Sequence, residues 1–410
     1  MKMRVCRQTI SICLLVIIFM PPGFMTYMPQ LKALNYMLAI GRYLVTTMVL
    51  LSTLINKSKR KYYKNMFLIV LTIICSIMML SMWLNGTFYI TGAISHITIV
   101  GWVLANYHLF NADYRRTVVT YKKILFLYLL LHFVTELVFS QGLVGGYIGN
   151  SRVYFAGVKN AVSTYYLLYL IFALLIWMDK KKKNLLQLLM LFLPIDIFAI
   201  INNSTTSIMV VAVIQFFVFA AYVGKMINRK MTNCFSRWGS IICFSILVIF
   251  FFAEVYQNNR IPLLGNLSVW IGKEASFSGR REIWDVAMMY ISDKPIWGMG
   301  LDVIYDAWGN NVLVHSAHNA FLDLGVKYGL ITLSIYCGIL TIVMGQIYKF
   351  RKITKHIIPE LIYIVALFIV FMFEAAAGLY STWLILTFIT YLAVCKYNSI
   401  NKTIKNEGSA

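Results

Sequence analysis

Acidic residues are scarce in this chain. Asp and Glu number 15 in 410 residues, against 37 Lys and Arg, for a formal net charge of +22 at pH 7. Charged residues of both signs make up only 13%, where a soluble domain carries about 25%. The seven cysteines (Cys6, Cys13, Cys75, Cys234, Cys243, Cys337 and Cys395) all fall in apolar runs or in segments read below as cytoplasmic. That excludes an extracellular disulfide framework. No C-x-x-C, P-loop, G-x-G-x-x-G or fixed-period repeat occurs, so ATP-driven transport is not encoded in this chain.

Apolar residues are what the chain has in quantity: 60% hydrophobic and 15% aromatic, with mean hydropathy +0.74. This rules out a soluble multidomain enzyme, a disordered chain and a secreted disulfide scaffold. It points to an all-α polytopic membrane protein. A span takes about 20 predominantly apolar residues to cross roughly 30 Å of hydrocarbon. About 12 transmembrane helices are expected, near 9–27, 34–55, 65–83, 88–110, 124–140, 161–178, 185–201, 206–224, 238–256, 327–347, 357–375 and 379–395. The first carries Pro21-Pro22, which kink or end it. It lacks a small-x-small cleavage pattern and reads as a retained helix.

Positive charge orients these spans. With both termini cytoplasmic, the inner segments 1–8, 56–64, 111–123, 179–184, 225–237, 348–356 and 396–410 hold 27 of the 37 basic residues. The outer side holds nine: Lys32, Arg152, Lys159, Arg260, Lys273, Arg280, Arg281, Lys294 and Lys327. Arg42 lies within a span. The inner charge sets topology and attracts anionic lipid, and no motif supports a nucleic-acid partner.

Three parts follow: a membrane bundle of about nine spans over 1–256, an extracytoplasmic loop over 257–326, and three C-terminal spans with a cytoplasmic tail over 327–410. A connection of that length in a compact chain is a functional candidate. The loop holds seven of the fifteen acids (Glu274, Glu282, Asp285, Asp293, Asp302, Asp306 and Asp323) and two of the six histidines. Within it a helix is expected to open at Ser278 as cap, with apolar residues at Ile283, Trp284, Ala287, Met288 and Ile291. Asp293-Lys-Pro295 ends it and Gly298-Met-Gly300 turns the chain. A second short helix is expected from His315 through Asp323, leading into Lys327-Tyr-Gly-Leu and the next span. His315 and His318 would then share a face.

Arg280 and Arg281 at a helix start suit anion binding; they serve equally as solvated partners of Glu282 and Asp285. A metal site built on His315, His318 and Asp323 is disfavoured, because no further His or Cys lies outside. One neutral imidazole as general base is the better reading, against surface histidines capped by Asn319. Trp284, Trp297 and Trp308 either stack on sugar rings or anchor at the interface.

The run Phe-Ser278-Gly279-Arg280-x-x-Ile-Trp284, then Pro295-x-x-Gly298-x-Gly300, then His315-x-x-His318-Asn319-x-Phe-Leu322, then Gly329-Leu, resembles the O-antigen ligase and polymerase family. Its polymerases are the Wzy-type proteins of O-antigen and capsule synthesis. The motif core covers about fifty residues. Asn150-Ser-Arg152-Val-Tyr-Phe-Ala-Gly157-Val-Lys-Asn160 also looks like the family's Arg- and Gly-bearing stretch in an earlier outer loop. One departure stands out: a cation usual in the family is replaced by Asn202-Asn-Ser204-Thr-Thr206.

The resemblance implies a GT-C-like membrane glycosyltransferase of polysaccharide biosynthesis, facing outward in the bacterial cytoplasmic membrane. Its substrates would be undecaprenyl-pyrophosphate-linked oligosaccharides, with a flippase and a chain-length regulator as partners and with neither cofactor nor metal. It implies His318 as base and Arg280 on the pyrophosphate, with Arg152 and Arg281 supporting. Asn319 orients the imidazole or caps its helix, and His315 and Trp284 lie in the substrate site. Glu374, at the outer end of a late span, orients His318 or binds a sugar. The rival within the class is an O-antigen ligase passing glycan to a lipid or protein acceptor. The rival of another class is a lipid-linked oligosaccharide flippase or transporter. Further polar residues inside spans are Arg42, His96, His132, Glu136, Asp196 and Glu254, each a site candidate because burial in lipid is costly. Of these, His132 and Glu136 are spaced to pair, and Arg42 with Asp196 is a second possible pair.

Overall fold

The computed structural model describes residues 2–56, 66–144, 147–148, 151–178, 184–227, 245, 280–305, 315–350 and 357–392. Its helices are α1 (Lys2–Phe19), α2 (Lys32–Ile55), α3 (Met66–Leu84), α4 (Ile90–Ala112), α5 (Tyr114–Val138), α6 (Ser163–Met178), α7 (Leu185–Asn202), α8 (Thr205–Ile227), α9 (Arg280–Asp293), α10 (Ala320–Phe350) and α11 (Ile357–Phe373), followed by α12 (Tyr380–Leu392). Among the described residues, seven helices are long and apolar enough to cross a membrane, and four shorter apolar helices accompany them. These positions coincide with eleven of the twelve expected spans. The other, about 238–256, falls outside the described residues apart from residue 245, and with it Glu254. The chain is a mostly helical, polytopic membrane protein.

Local chemistry sets the helix ends. Pro21-Pro22 cannot continue α1, which stops at Phe19. The α5 helix begins about ten residues before its expected start. Asp113 is extended at φ −160°, and its carboxylate caps the helix by accepting from the Arg116 amide. It also pairs with the Arg116 guanidinium at 3.3 Å. This cap turns α4 into α5 through one residue, so the basic segment 111–123 is largely helical. Gln8 of α1 donates to the Leu109 and Asp113 carbonyls and to the Thr117 hydroxyl, closing this end of the bundle.

At the opposite end a small three-stranded antiparallel sheet departs from the all-α expectation. It comprises β1 (Tyr147–Ile148), β2 (Ser151–Tyr154) and β3 (Gly157–Val158). Gly157, at φ +111°, lets the chain reverse tightly between β2 and β3. Phe24 of the loop after α1 donates its amide to the Phe155 carbonyl.

The polar residues inside spans find partners other than the expected ones. His132 accepts from the Ala156 amide at 3.1 Å and meets Asn202 at 3.4 Å, so it is tied to the sheet loop instead of Glu136. Arg42 lies over the Tyr380 ring, and Asp196 accepts from Gln215. Arg42 and Asp196 are therefore not a pair. His96 meets the Tyr328 hydroxyl at 3.2 Å. His132, Asp196 and His96 each find a hydrogen-bond partner on a neighbouring element, as a low-dielectric interior requires, whereas the buried Oε2 of Glu136 has none.

Helix α10 is two helices joined at Gly329, which adopts φ 82° and ψ 173°. The expected short helix leading into a span is therefore present, but it starts at Ala320. The Gly298-Met-Gly300 turn packs against the kink, backbone to backbone. Met299 and Gly300 donate to the Val326 and Lys327 carbonyls at 2.7 and 3.1 Å, and Leu330 donates to the Pro295 carbonyl at 2.7 Å. A Cβ at Gly329 would sit 2.0 Å from the Ile296 oxygen, and one at Gly298 would sit 2.6 Å from the Val326 oxygen. Ser81 and Asn85, at the end of α3, donate to the Trp297 carbonyl. This fixes α9 and the start of α10 over the same end of the bundle.

Candidate active site

The residues before α10 are shaped by one cap. Asn319 is fully buried. Its Oδ1 accepts from the Phe321 and Leu322 amides at 3.0 and 3.1 Å. Its Nδ2 donates to the Met372 carbonyl in the last turn of α11 at 3.2 Å. Of the two roles open for Asn319, it takes that of helix cap. Helix therefore starts after residue 319, so His315 and His318 do not share a helical face. His315 is exposed. His318 sits in the left-handed region at φ +47°, and its amide donates to the Ser316 hydroxyl at 3.1 Å.

Two further contacts brace this turn. The Trp284 indole N–H donates to the Ala317 carbonyl at 3.0 Å. The Ala317 amide donates to Asp323 Oδ1 at 3.1 Å, and Asp323 Oδ2 is paired with Lys327 at 2.9 Å. Trp284 packs with Ile283, Ala287, Ile291, Tyr305 and Leu322 in an apolar cluster separate from the main core. It is 7% exposed, so the ring is a strut between α9 and the His318 turn. Trp297 is half-buried; Trp308 and Ser278 lie outside the described residues.

Arg280 opens α9 and reaches the end of α11. Its Nη2 lies 3.1 Å from Glu374 Oε1. Thr206, in the first turn of α8, donates to the same oxygen at 3.1 Å. The guanidinium also lies over the Phe373 ring, 5.8 Å from its centroid, a cation–π contact. Both charged side chains are largely buried, at 15% and 12% exposure.

Burial pushes the His318 imidazole down to about 4, and the Arg280 charge adds to the shift. The ring is therefore neutral at physiological pH. Glu374 follows the last residue of α11, in the turn beyond the span. Burial pushes its carboxyl up to about 7, opposed by the Arg280 charge and by hydrogen bonds from Thr206 and Arg280. Arg280 and Glu374 thus meet at one end of the bundle, and the Arg280 charge acts on the neutral imidazole of His318, so three separate elements contribute. Such a set can bind an anion and accept a proton.

Of the other residues singled out in the sequence, Arg152 lies half-buried in β2. Arg281 is the second residue of α9, and its side chain lies outside the described part of the structure. The sheet loop does reach the same end of the bundle. Asn202 donates to the Lys159 carbonyl at 3.0 Å, and Ser204 donates to Asn160 at 3.1 Å. Thr206 was not foreseen as a partner of Glu374. Its segment had stood out only as the place of a missing cation. The signal available was a hydroxyl-bearing run after Asn203, which ends α7 at φ +47°.

Residues 188–337 match the family model described as O-antigen ligase. The matched stretch runs from α7 into α10, so it contains Thr206, Arg280, Trp284, His318 and Asn319. It overlaps the motifs that carry the resemblance, and over this stretch the chain is similar to the O-antigen ligase and polymerase family. No curated protein matches the chain.

Proposed function

We propose that this protein is a membrane glycosyltransferase that polymerises O-antigen or capsule repeat units. It joins undecaprenyl-pyrophosphate-linked oligosaccharides at the outer face of the bacterial cytoplasmic membrane. The observation that carries this reading is the buried Arg280–Glu374 pair whose charge reaches the neutral His318, with Arg280 and His318 both inside the segment similar to O-antigen ligases.

The chemistry follows from the parts. The donor sugar leaves undecaprenyl pyrophosphate, whose charge grows as the bond breaks, and the forked donors of Arg280 stabilise that charge. His318, held neutral, accepts the proton of the attacking hydroxyl, a role typically worth about 10²–10⁴-fold. Arriving phosphate charge offsets that of Arg280 and raises the proton affinity of the ring. Arg152, Arg281 and His315 stand as secondary contacts for the phosphates or the glycan. The energy resides in the lipid pyrophosphate bond. A flippase would supply the donor and a chain-length regulator would set the product size.

The name of the matching family, O-antigen ligase, favours a second reading, transfer of finished glycan to a lipid or protein acceptor. Purified protein given only repeat-unit lipid separates the two. Laddered polymer is expected, and its absence, with transfer appearing only when a distinct acceptor is added, identifies a ligase. Labelled lipid crossing liposomes without any new glycosidic bond would replace both readings with transport.

A further inference from the structure

Arg280 is already occupied. The guanidinium that would meet the donor's pyrophosphate is bonded to Glu374 through Nη2, so a donor that draws on that nitrogen exchanges one anion for another on the same cation. Both side-chain bonds made to the carboxylate fall on Oε1, from Arg280 Nη2 and Thr206 Oγ1. When Arg280 turns to a phosphate, the carboxylate keeps one hydroxyl donor. Its neighbours in the chain, Phe373, Ala376 and Ala377, are buried and apolar. An ionised carboxylate left so poorly partnered in a buried site is costly, and neutralisation by a proton is the cheapest relief.

We infer that Glu374 is a positioning residue that holds Arg280 until the donor arrives, then releases it to the pyrophosphate while taking up one proton from solvent. In atoms, the Nη2–H···Oε1 contact breaks and an N–H···O–P contact forms. Glu374 goes from –COO⁻ to –COOH. The inference rests on the donor reading given above.

The groups facing Glu374 support this. From α9 comes Arg280, and from α8 comes Thr206, which is uncharged. On the lead into α10, His318 feels the Arg280 charge and is neutral near pH 7. Along its own segment no other charged residue lies between Tyr363 and Tyr380. Asp323 is paired with Lys327. Among the described residues, Arg280 is thus the cation that keeps Glu374 ionised, and removing it moves the carboxyl further up from a value already near 7. Proton uptake is therefore expected above that value and shrinks below it, where the carboxyl is already protonated before the donor binds.

The test is calorimetric titration of the full-length protein in detergent with farnesyl pyrophosphate, in two buffers of unequal ionisation enthalpy, at pH 8. Wild type is expected to take up about one more proton per ligand than Glu374→Gln. Its affinity is expected to fall up to about tenfold per pH unit above neutrality, while that of Glu374→Gln follows only the ligand's own titration. An infrared difference spectrum of wild type on ligand addition needs no variant and is expected to show a new protonated-carboxyl band. Equal uptake by both proteins, or no such band, overturns the inference and leaves the donor reading standing. If neither protein binds the pyrophosphate, the donor reading falls and this inference with it.

Discussion

Arg280 Nη2 and Glu374 Oε1 lie 3.1 Å apart. They are 94 positions apart in the chain, and their contact joins the first residue of α9 to the residue that follows α11. It sets the orientation of the guanidinium whose charge acts on His318. It also ties the O-antigen ligase-like region, through Arg280, to a residue that follows it in the chain.

The neutral state of His318 gives a pH signature. With its value near 4, the ring keeps its basic form well into the acid range, so turnover at saturating donor should be level around neutrality and fall only on the acid side. His318→Ala should lose about 10²–10⁴-fold in rate. Stability should show a linked effect. Below about 6.5 the unfolded ring binds a proton that the folded ring refuses, so stability falls as pH drops from 6.5 towards 4. Rate and thermal unfolding in detergent, measured against pH for wild type and His318→Ala, check both. Normal polymer from the variant would remove the base assignment.

Trp284→Phe keeps the apolar packing and removes the indole donor to Ala317. The cost should be about 1–3 kcal/mol, because the buried carbonyl is left unpaired. The larger effect should appear at His318, where amide exchange at residues 317–319 should quicken and kcat should fall more than KM rises. Hydrogen exchange and kinetics on the same preparation report both, and unchanged exchange would show that the strut is dispensable.

Gly329→Ala places a methyl group 2.0 Å from the Ile296 oxygen at a φ of +82°. Backbone is in the way, so no side-chain rotation relieves it, and a loss of more than about 3 kcal/mol is expected. Gly338→Ala is the control. A Cβ there meets nothing within 4 Å, and the change should be neutral or stabilising by up to about 1 kcal/mol. Thermal shift of the two purified variants distinguishes a strained joint from a general intolerance of the helix.

His315 is exposed and reports the sidedness. In a background without other cysteines, His315→Cys should react with a membrane-impermeant maleimide in intact spheroplasts, whereas a cysteine placed at Lys181 should react only after permeabilisation. The reverse pattern would invert the proposed topology and place the site on the wrong side for a flipped donor.

The spans were legible because membrane thickness forces long apolar runs that composition reveals directly. The Gly298-Met-Gly300 turn was legible, although only the folded chain shows that it packs against a kink at Gly329. The pairing of Arg280 with Glu374 was not legible, since no periodicity links residues in separate elements. The shared face expected for His315 and His318 failed for a local reason: Asn319 caps the helix that follows, leaving both histidines before its first turn. Thr206 was hidden for the opposite reason. A threonine at a helix start is ordinary, and its role comes entirely from the carboxylate across from it.

The joint between the Pro295–Gly300 turn and the Gly329 kink is made of main chain on both sides. Side-chain identity at Ile296, Trp297 and Met299 can therefore vary without disturbing its hydrogen bonds, whereas the number of residues cannot. A single insertion between Pro295 and Gly300 would put the carbonyls out of step with their amides and drag α9, with Arg280 on it, away from His318. For anyone recombining loops among relatives of this chain, the safe seam lies outside this joint, and the constraint to respect is a count of residues and not their kind.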